Sequence, residues 1–189
     1  NITVEDYTYI FADADVKIVF VETEELVSKV LEATKNLEKQ LHIYTFNKIE
    51  GRKHWKEVQE TGKSRSLVEI KPLTDAIKPE DLITLIYTSG TTGKPKGVML
   101  SNENLVSNVL SVHHLLPVKQ GGKVLSFLPL CHVFERIATY VYMFKGTSIY
   151  YAESMETIGA DLKDVKPMFF STVPRLLEKV YDKIMAKGK

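Results

Sequence analysis

The sequence predicts an α/β fold with a mostly parallel sheet, and three observations lead there. Short apolar runs rich in β-branched residues, such as Val16–Val21 ("VKIVFV") and Leu82–Tyr87 ("LITLIY"), read as buried strands. Between such runs, apolar residues recur at helical spacing, as with Leu26, Val27, Val30 and Leu31. The two kinds of segment alternate to the end of the chain, and that βαβα rhythm implies parallel strands joined by helical crossovers.

Taken in order, Thr3 and Asp6 are spaced as a capping box, which predicts a helix almost from the first residue. Val16–Val21 is the first strand. Thr23 caps a second helix carrying Leu26, Val27, Val30, Leu31 and Leu37, and Leu41–Phe46 is the second strand. Residues 47–66 are polar, contain Gly51 and Gly62, and predict an excursion with only a short helical turn around Trp55. Leu82–Tyr87 enters a loop that Gly97–Leu100 leaves as a strand. Ser101 or Asn102 caps the next helix, with Leu105, Val106, Val109 and Leu110 on its inner face. Val124–Phe127, Thr147–Tyr151 and Met168–Ser171 follow as strands, separated by helices near Phe134–Phe144 and Thr157–Val165. A last helix is expected to pack Val173, Leu176, Leu177, Val180, Tyr181 and Ile184 on the sheet, in preference to grazing a membrane. The chain thus divides into a βα segment over 1–46, an irregular excursion over 47–81 and an α/β segment over 82–189.

Composition excludes several classes. The chain has 189 residues, 44% hydrophobic and 26% charged, which is ordinary for a globular protein. A net charge of +1 offers no basic stripe for nucleic acid. Lone Cys131 forms no internal disulfide, so a cytoplasmic location is expected. No apolar run is long enough to span a bilayer. His113 and His114 are adjacent and point about 100° apart on a helix, a poor arrangement for one metal. Cys131 and His132 are neighbours that point apart, which argues against a thiol nucleophile. Glu135 and Arg136 are expected to pair with each other or with the loop.

That loop, Tyr87–Gly97 ("YTSGTTGKPKG"), packs five hydroxyl side chains, three glycines and two lysines into eleven residues. Such a stretch suits phosphate: glycine lets backbone N–H groups approach, hydroxyls donate, and lysine opposes charge. It is not G-x-x-x-x-G-K-[ST], because two residues separate Gly90 from Gly93 and Pro95 follows Lys94. It also leads into a strand, so no helix dipole assists.

Tyr87–Gly97 resembles the signature loop of the AMP-forming adenylating enzymes, the superfamily of acyl-CoA synthetases, nonribosomal peptide adenylation domains and firefly luciferase. "SFLPLCHVFERIATYV" (Ser126–Val141) and "VKPMFFSTVPRLLEKVYDKI" (Val165–Ile184) are similar to the long-chain acyl-CoA synthetases in particular. The opening "YTYIFADADVKIVFVE" resembles their Y-I-x-x-D segment, and the resemblance is weakest between Asn47 and Leu73. Asn102 departs from the histidine of many relatives.

The resemblance implies part of the large N-terminal domain of a long-chain fatty acid–CoA ligase, with ATP, magnesium and coenzyme A as its small molecules. In such an enzyme a fatty acid carboxylate attacks the α-phosphate of ATP, pyrophosphate leaves, and the thiol of coenzyme A displaces AMP. Ser89, Gly90, Thr91, Thr92, Gly93 and Lys94 are implied to cradle the β- and γ-phosphates, with Thr88 helping to hold magnesium. His132 is implied to sit beside the adenylate and acyl pocket; a packed histidine at a strand-to-helix junction is the alternative. No catalytic residue is implied within this chain, and the acyl tunnel and coenzyme A contacts are implied to lie largely outside it. The family's Y-G-x-T-E and T-G-D motifs and its C-terminal lobe are missing, so a piece of a longer protein is expected, inactive alone and prone to self-association. Peripheral membrane contact of the parent is a further expectation. A fatty acyl-AMP ligase, a synthetase for another carboxylate, and a non-catalytic binding module stay open.

Overall fold

A computed structural model describes residues 2–35, 37, 40–88 and 93–187, the last helix without its side chains at 179, 180, 183, 184, 186 and 187. It consists of two compact units, Asn1–Asp81 with Tyr87–Met99, and Leu82–Ile86 with Leu100–Lys189. Tyr87, Thr88 and Gly93–Met99 therefore go with the first unit and Leu82–Ile86 with the second, whereas the sequence division grouped all of them with the residues that follow.

In the first unit the Thr3–Asp6 capping box forms: Asp6 N–H donates to Thr3 Oγ1 at 3.1 Å and Thr3 N–H to Asp6 Oδ2 at 3.0 Å. It starts α1 (Val4–Asp13). Thr23 Oγ1 accepts from Leu26 N–H at 3.3 Å and starts α2 (Glu24–Thr34). β1 (Ile18–Val21) and β2 (His42–Thr45) pair in parallel, Ile18 opposite His42 and Val21 opposite Thr45, with α2 as the crossover. Val27, Val30 and Ala33 on α2 pack with Phe11 of α1 and Val21 of β1 as the buried core.

Residues 47–81 are more ordered than expected, holding α3 (Trp55–Gly62) and α4 (Leu67–Asp75). Local capping explains both. His54 N–H donates to Glu57 Oε1 at 2.7 Å, and Ser66 N–H reaches Glu69 Oε1 at 3.4 Å. Histidine is not a usual N-cap, which hid the first of these. Its Nδ1 accepts from Lys56 N–H at 3.4 Å while Nε2 meets the Phe46 carbonyl at 3.0 Å, so one neutral tautomer serves both contacts.

β3 (Leu82–Thr88) and β4 (Lys96–Ser101) hydrogen-bond as a two-stranded sheet. Residues 89–95 are too few for a parallel crossover, so this pair is a hairpin within an otherwise parallel pattern.

In the second unit, Ser101 and Asn104 cap α5 (Asn102–Val112) reciprocally. Leu105 and Val109 are buried, but Val106 and Leu110 are exposed, so the inner face is narrower than expected. β5 (Lys123–Ser126) lies between β6 (Ser148–Tyr151) and β7 (Phe169–Phe170), parallel to both. α6 (Val133–Phe144) connects β5 to β6, and α7 (Ile158–Val165) follows β6. Val118, Val124, Ala138 and Tyr142 form the core, and the Tyr142 hydroxyl meets Ser171 Oγ at 2.9 Å. α8 (Pro174–Lys187) buries Leu176, whereas Leu177 and Tyr181 are exposed and Val180 and Ile184 lie outside the described side chains. Helical spacing reveals an amphipathic helix; it does not reveal whether a partner covers the face. Among the described residues no helix is long and apolar enough to cross a membrane.

Candidate functional site

The loop is approached through Tyr87, whose hydroxyl donates to Asp13 Oδ2 at 2.6 Å. Asp13 is the last residue of α1, where the helix dipole disfavours a carboxylate, and the phenol supplies a compensating donor. Burial first, then the hydrogen bond and the charge of Asp13, push the Tyr87 phenol up to about 12. Across the hairpin stands Gly97. A Cβ there would lie 3.1 Å from Tyr87 Cζ and 3.2 Å from Cε1, so the ring would have to give by a few tenths of an ångström.

Thr88 ends β3 with its side chain exposed. Ser89, Gly90, Thr91 and Thr92 lie outside the described residues. Gly93 has φ +89°, a left-handed conformation that glycine adopts without strain. The Lys94 ammonium stands 5.7 Å over the Tyr9 ring. Tyr9 and Asp13 are four apart on α1 and share a face. One helix face thus meets both the tyrosine entering the loop and the lysine near its exit. Tyr9 and Asp13 lie within "YTYIFADAD" with no motif to mark them, because spacing does not show what a helix face touches.

The donor set fits a phosphate ligand: an exposed hydroxyl at Thr88, a left-handed Gly93 and a mobile-stemmed cation at Lys94. Thr88 is also an oxygen donor of the kind magnesium takes alongside phosphate oxygens and water. Among the described residues no group of three or more His, Cys, Asp or Glu could hold a metal by itself, His113 and His114 included.

In the second unit, His132 is the N-cap of α6, with extended backbone and an exposed imidazole that makes no capping bond. Its N–H donates to the Pro129 carbonyl at 3.0 Å, and its carbonyl accepts from Arg136 N–H at 3.2 Å. Glu135 and Arg136 do not pair with each other. Glu135 is 1% exposed, and its Oε1 accepts from Ser126 Oγ at 2.5 Å. Its Oε2, like Thr139 Oγ1, has no hydrogen-bond partner among the described residues. Burial raises the Glu135 carboxyl above the usual carboxylate range, and the Ser126 bond offsets part of that. Arg136 Nε donates to the Leu130 carbonyl at 3.1 Å, and its Nη1 donates to Thr84 Oγ1 on β3. Cys131 is free and exposed.

Beside this turn, α5 and α6 line an open groove of about 450 Å³. Leu105, Val133, Phe134, Ala138, Val141 and Phe169 contribute apolar walls, and Asn104, Asn108 and Ser171 contribute polar groups. Packing of two helix faces creates this apolar space, which helical spacing by itself does not show.

The family model described as AMP-binding enzyme matches residues 1–189. The chain belongs to that family. The mouse long-chain-fatty-acid–CoA ligase 5 is 43% identical over 117 residues, which is 59% of this chain and 17% of that protein. The human long-chain-fatty-acid–CoA ligase 1 is 32% identical over 198 residues, 97% of this chain and 28% of that protein. This AMP-binding chain therefore spans less than a third of either relative. Among solved structures, the N-terminal domain of FACL13 from Mycobacterium tuberculosis has a TM-score of 0.70 at 17% identity, covering 93% of this chain and 42% of that one. ATP-bound MatB from Rhodopseudomonas palustris has a TM-score of 0.66 at 22% identity, covering 94% and 33%. The shared α/β fold is that of acyl-CoA synthetase N-terminal domains.

Proposed function

We propose that this AMP-binding chain is part of a long-chain fatty acid–CoA ligase. The observation that carries the reading is the presence in one chain of a phosphate-type loop, Thr88–Lys94, and a H-x-F-E-R turn whose Val133 and Phe134 line an apolar groove. The volume lies within the range of small-molecule pockets, and its mostly hydrocarbon walls suit an acyl chain better than a polar amino acid. Identity to the human ligase along nearly the whole chain supports the same branch.

In this reading Thr88, Ser89, Gly90, Thr91, Thr92, Gly93 and Lys94 hold the β- and γ-phosphates of ATP. Lys94 opposes their charge, and positioning with electrostatic stabilisation does the rest. Bound magnesium, with Thr88 as a ligand, supplies positive charge to the phosphate oxygens. His132 presents its imidazole beside the carboxylate and adenylate. Coenzyme A is the second acceptor. A cytoplasmic protein touching membranes peripherally suits an apolar substrate and a single free Cys131. The exposed apolar residues of α4, Leu67, Val68 and Leu73, favour self-association of the isolated chain.

The test is ATP-dependent pyrophosphate release by the full-length enzyme. Release is expected only with ATP, magnesium and a long-chain fatty acid together, and acyl-CoA on adding the thiol. Adenylate without acyl-CoA would move the protein to the acyl-AMP ligases. Stimulation by amino acids or aryl acids would move it to another branch, and no release with any acid would leave a binding module.

A further inference from the structure

His132 is held in an unusual way for a residue that serves an active site. Its imidazole is exposed and makes no side-chain hydrogen bond among the described residues. The backbone of residues 127–132 sets where the His132 Cα–Cβ bond points, and so the place from which the ring can reach a ligand. That segment is closed at both ends by side chains of the next two polar residues on α6. Glu135 reaches back to Ser126, the last residue of β5, and fastens the strand end to the first turn of the helix. Arg136 reaches the Leu130 carbonyl inside the turn and Thr84 on β3. The main-chain bonds Pro129 to His132 and His132 to Arg136 complete the frame.

Glu135 is an expensive way to hold a turn. A carboxyl that is 1% exposed, with one oxygen lacking a protein partner, costs stability that an apolar residue would not. Polar groups retained at such a cost are found where a geometry must be exact, because functional side chains depend on a rigid supporting shell. The group nearest to benefit is His132, three residues earlier in chain order.

We propose that Glu135 and Arg136 are positioning residues for His132. The Glu135–Ser126 bond and the Arg136 bonds to Leu130 and Thr84 hold the 127–132 turn, and through it the position from which the imidazole meets the reacting carboxylate. This rests on the ligase reading above and adds two residues to it.

The experiment is a set of double-mutant cycles in the full-length enzyme, read as fatty acid-dependent pyrophosphate release. Glu135→Ala, Ser126→Ala, Arg136→Ala and Glu135→Gln are each made with His132 present and with His132→Ala, and thermal unfolding is recorded for all. With His132 present, the three truncations are expected to lower kcat about tenfold, the size of a lost charged or buried hydrogen bond, with KM for ATP unchanged. Glu135→Gln keeps an acceptor oxygen for Ser126 and is expected to stay within about twofold of wild type. With His132→Ala, the same truncations are expected to cost less than about twofold, because no imidazole remains to be positioned. Equal losses in both backgrounds would overturn the proposal and leave a purely structural role. If Glu135→Ala does not fold, Ser126→Ala removes the same bond with a smaller change and decides the matter. A wild-type enzyme that releases no pyrophosphate with any fatty acid would instead refute the ligase reading itself.

Discussion

The Tyr87 hydroxyl donates to Asp13 Oδ2 at 2.6 Å, joining the strand that enters the phosphate loop to the last turn of α1. The two residues stand 74 positions apart in the chain. On the same helix face, Tyr9 carries the Lys94 ammonium over its ring. α1 is thus the element against which both flanks of the loop are set, and three consequences can be measured.

Tyr87 should ionise later than an ordinary tyrosine. Its phenol is pushed up to about 12 from an ordinary 10.0, so its neutral form is favoured by folding. That contribution is fully present below pH 10, and it is lost as pH rises toward 12. Ultraviolet titration of the folded chain should show a late-ionising component to which Tyr87 and buried Tyr142 contribute, smaller by one tyrosine in Tyr87→Phe. Asp13→Asn should bring Tyr87 part of the way down, since burial is the larger cause. A Tyr87→Phe chain with an unchanged titration curve would refute the assignment.

Gly97→Ala should be destabilising although its backbone lies outside the left-handed region. The added methyl meets the Tyr87 ring at 3.1 Å, and the ring is tied to Asp13. Overpacking of this kind costs about 1–3 kcal/mol. Urea unfolding should show that loss, and it should shrink in a Tyr87→Leu background. An equal loss without the ring would point to strand propensity alone.

Lys94 must leave Tyr9 to reach a phosphate. An exposed cation–π contact is worth about 0.5–1 kcal/mol, whereas a charge-assisted phosphate contact is worth about 1.5–3 kcal/mol. The phosphate wins. In the full-length enzyme, Lys94→Ala should therefore raise the Kd for ATP by on the order of tenfold or more, and Thr91→Ala or Thr92→Ala should impair the same step. Tyr9→Leu should lower the Kd less than about fivefold. Calorimetry with ATP and magnesium separates these outcomes, and wild-type binding by all three loop variants would remove the cradle assignment.

Glu135→Gln should stabilise the folded chain at neutral and alkaline pH. The native carboxyl titrates above its ordinary 4.5, so its stabilising contribution is full below that value and is lost as pH rises through the raised one. Buried Tyr142 faces the same region and is itself raised by burial, so it stays neutral over this range. The melting temperature of Glu135→Gln should exceed that of wild type at pH 8, and the gap should close toward pH 4.5. A constant gap would mean that the carboxyl is not the titrating cause.

Much of this protein was determined by local sequence alone. The Thr3–Asp6 box, the Thr23 cap and the β-branched runs specify α1, α2, β1 and β2, because capping and period-dependent burial act within a few residues. The loop's likeness to an adenylating signature rests on contiguous residues in the same way. His54 as an N-cap escaped notice because its acceptor nitrogen depends on a tautomer that the Phe46 carbonyl selects. What only the tertiary structure decided are contacts between residues far apart in the chain. Tyr87 with Asp13, Arg136 with Thr84, the ring beneath Gly97 and the groove between α5 and α6 are such cases. Periodicity tells which face of an element is apolar or polar, but the partner of that face is chosen by packing, and packing is a property of the folded chain.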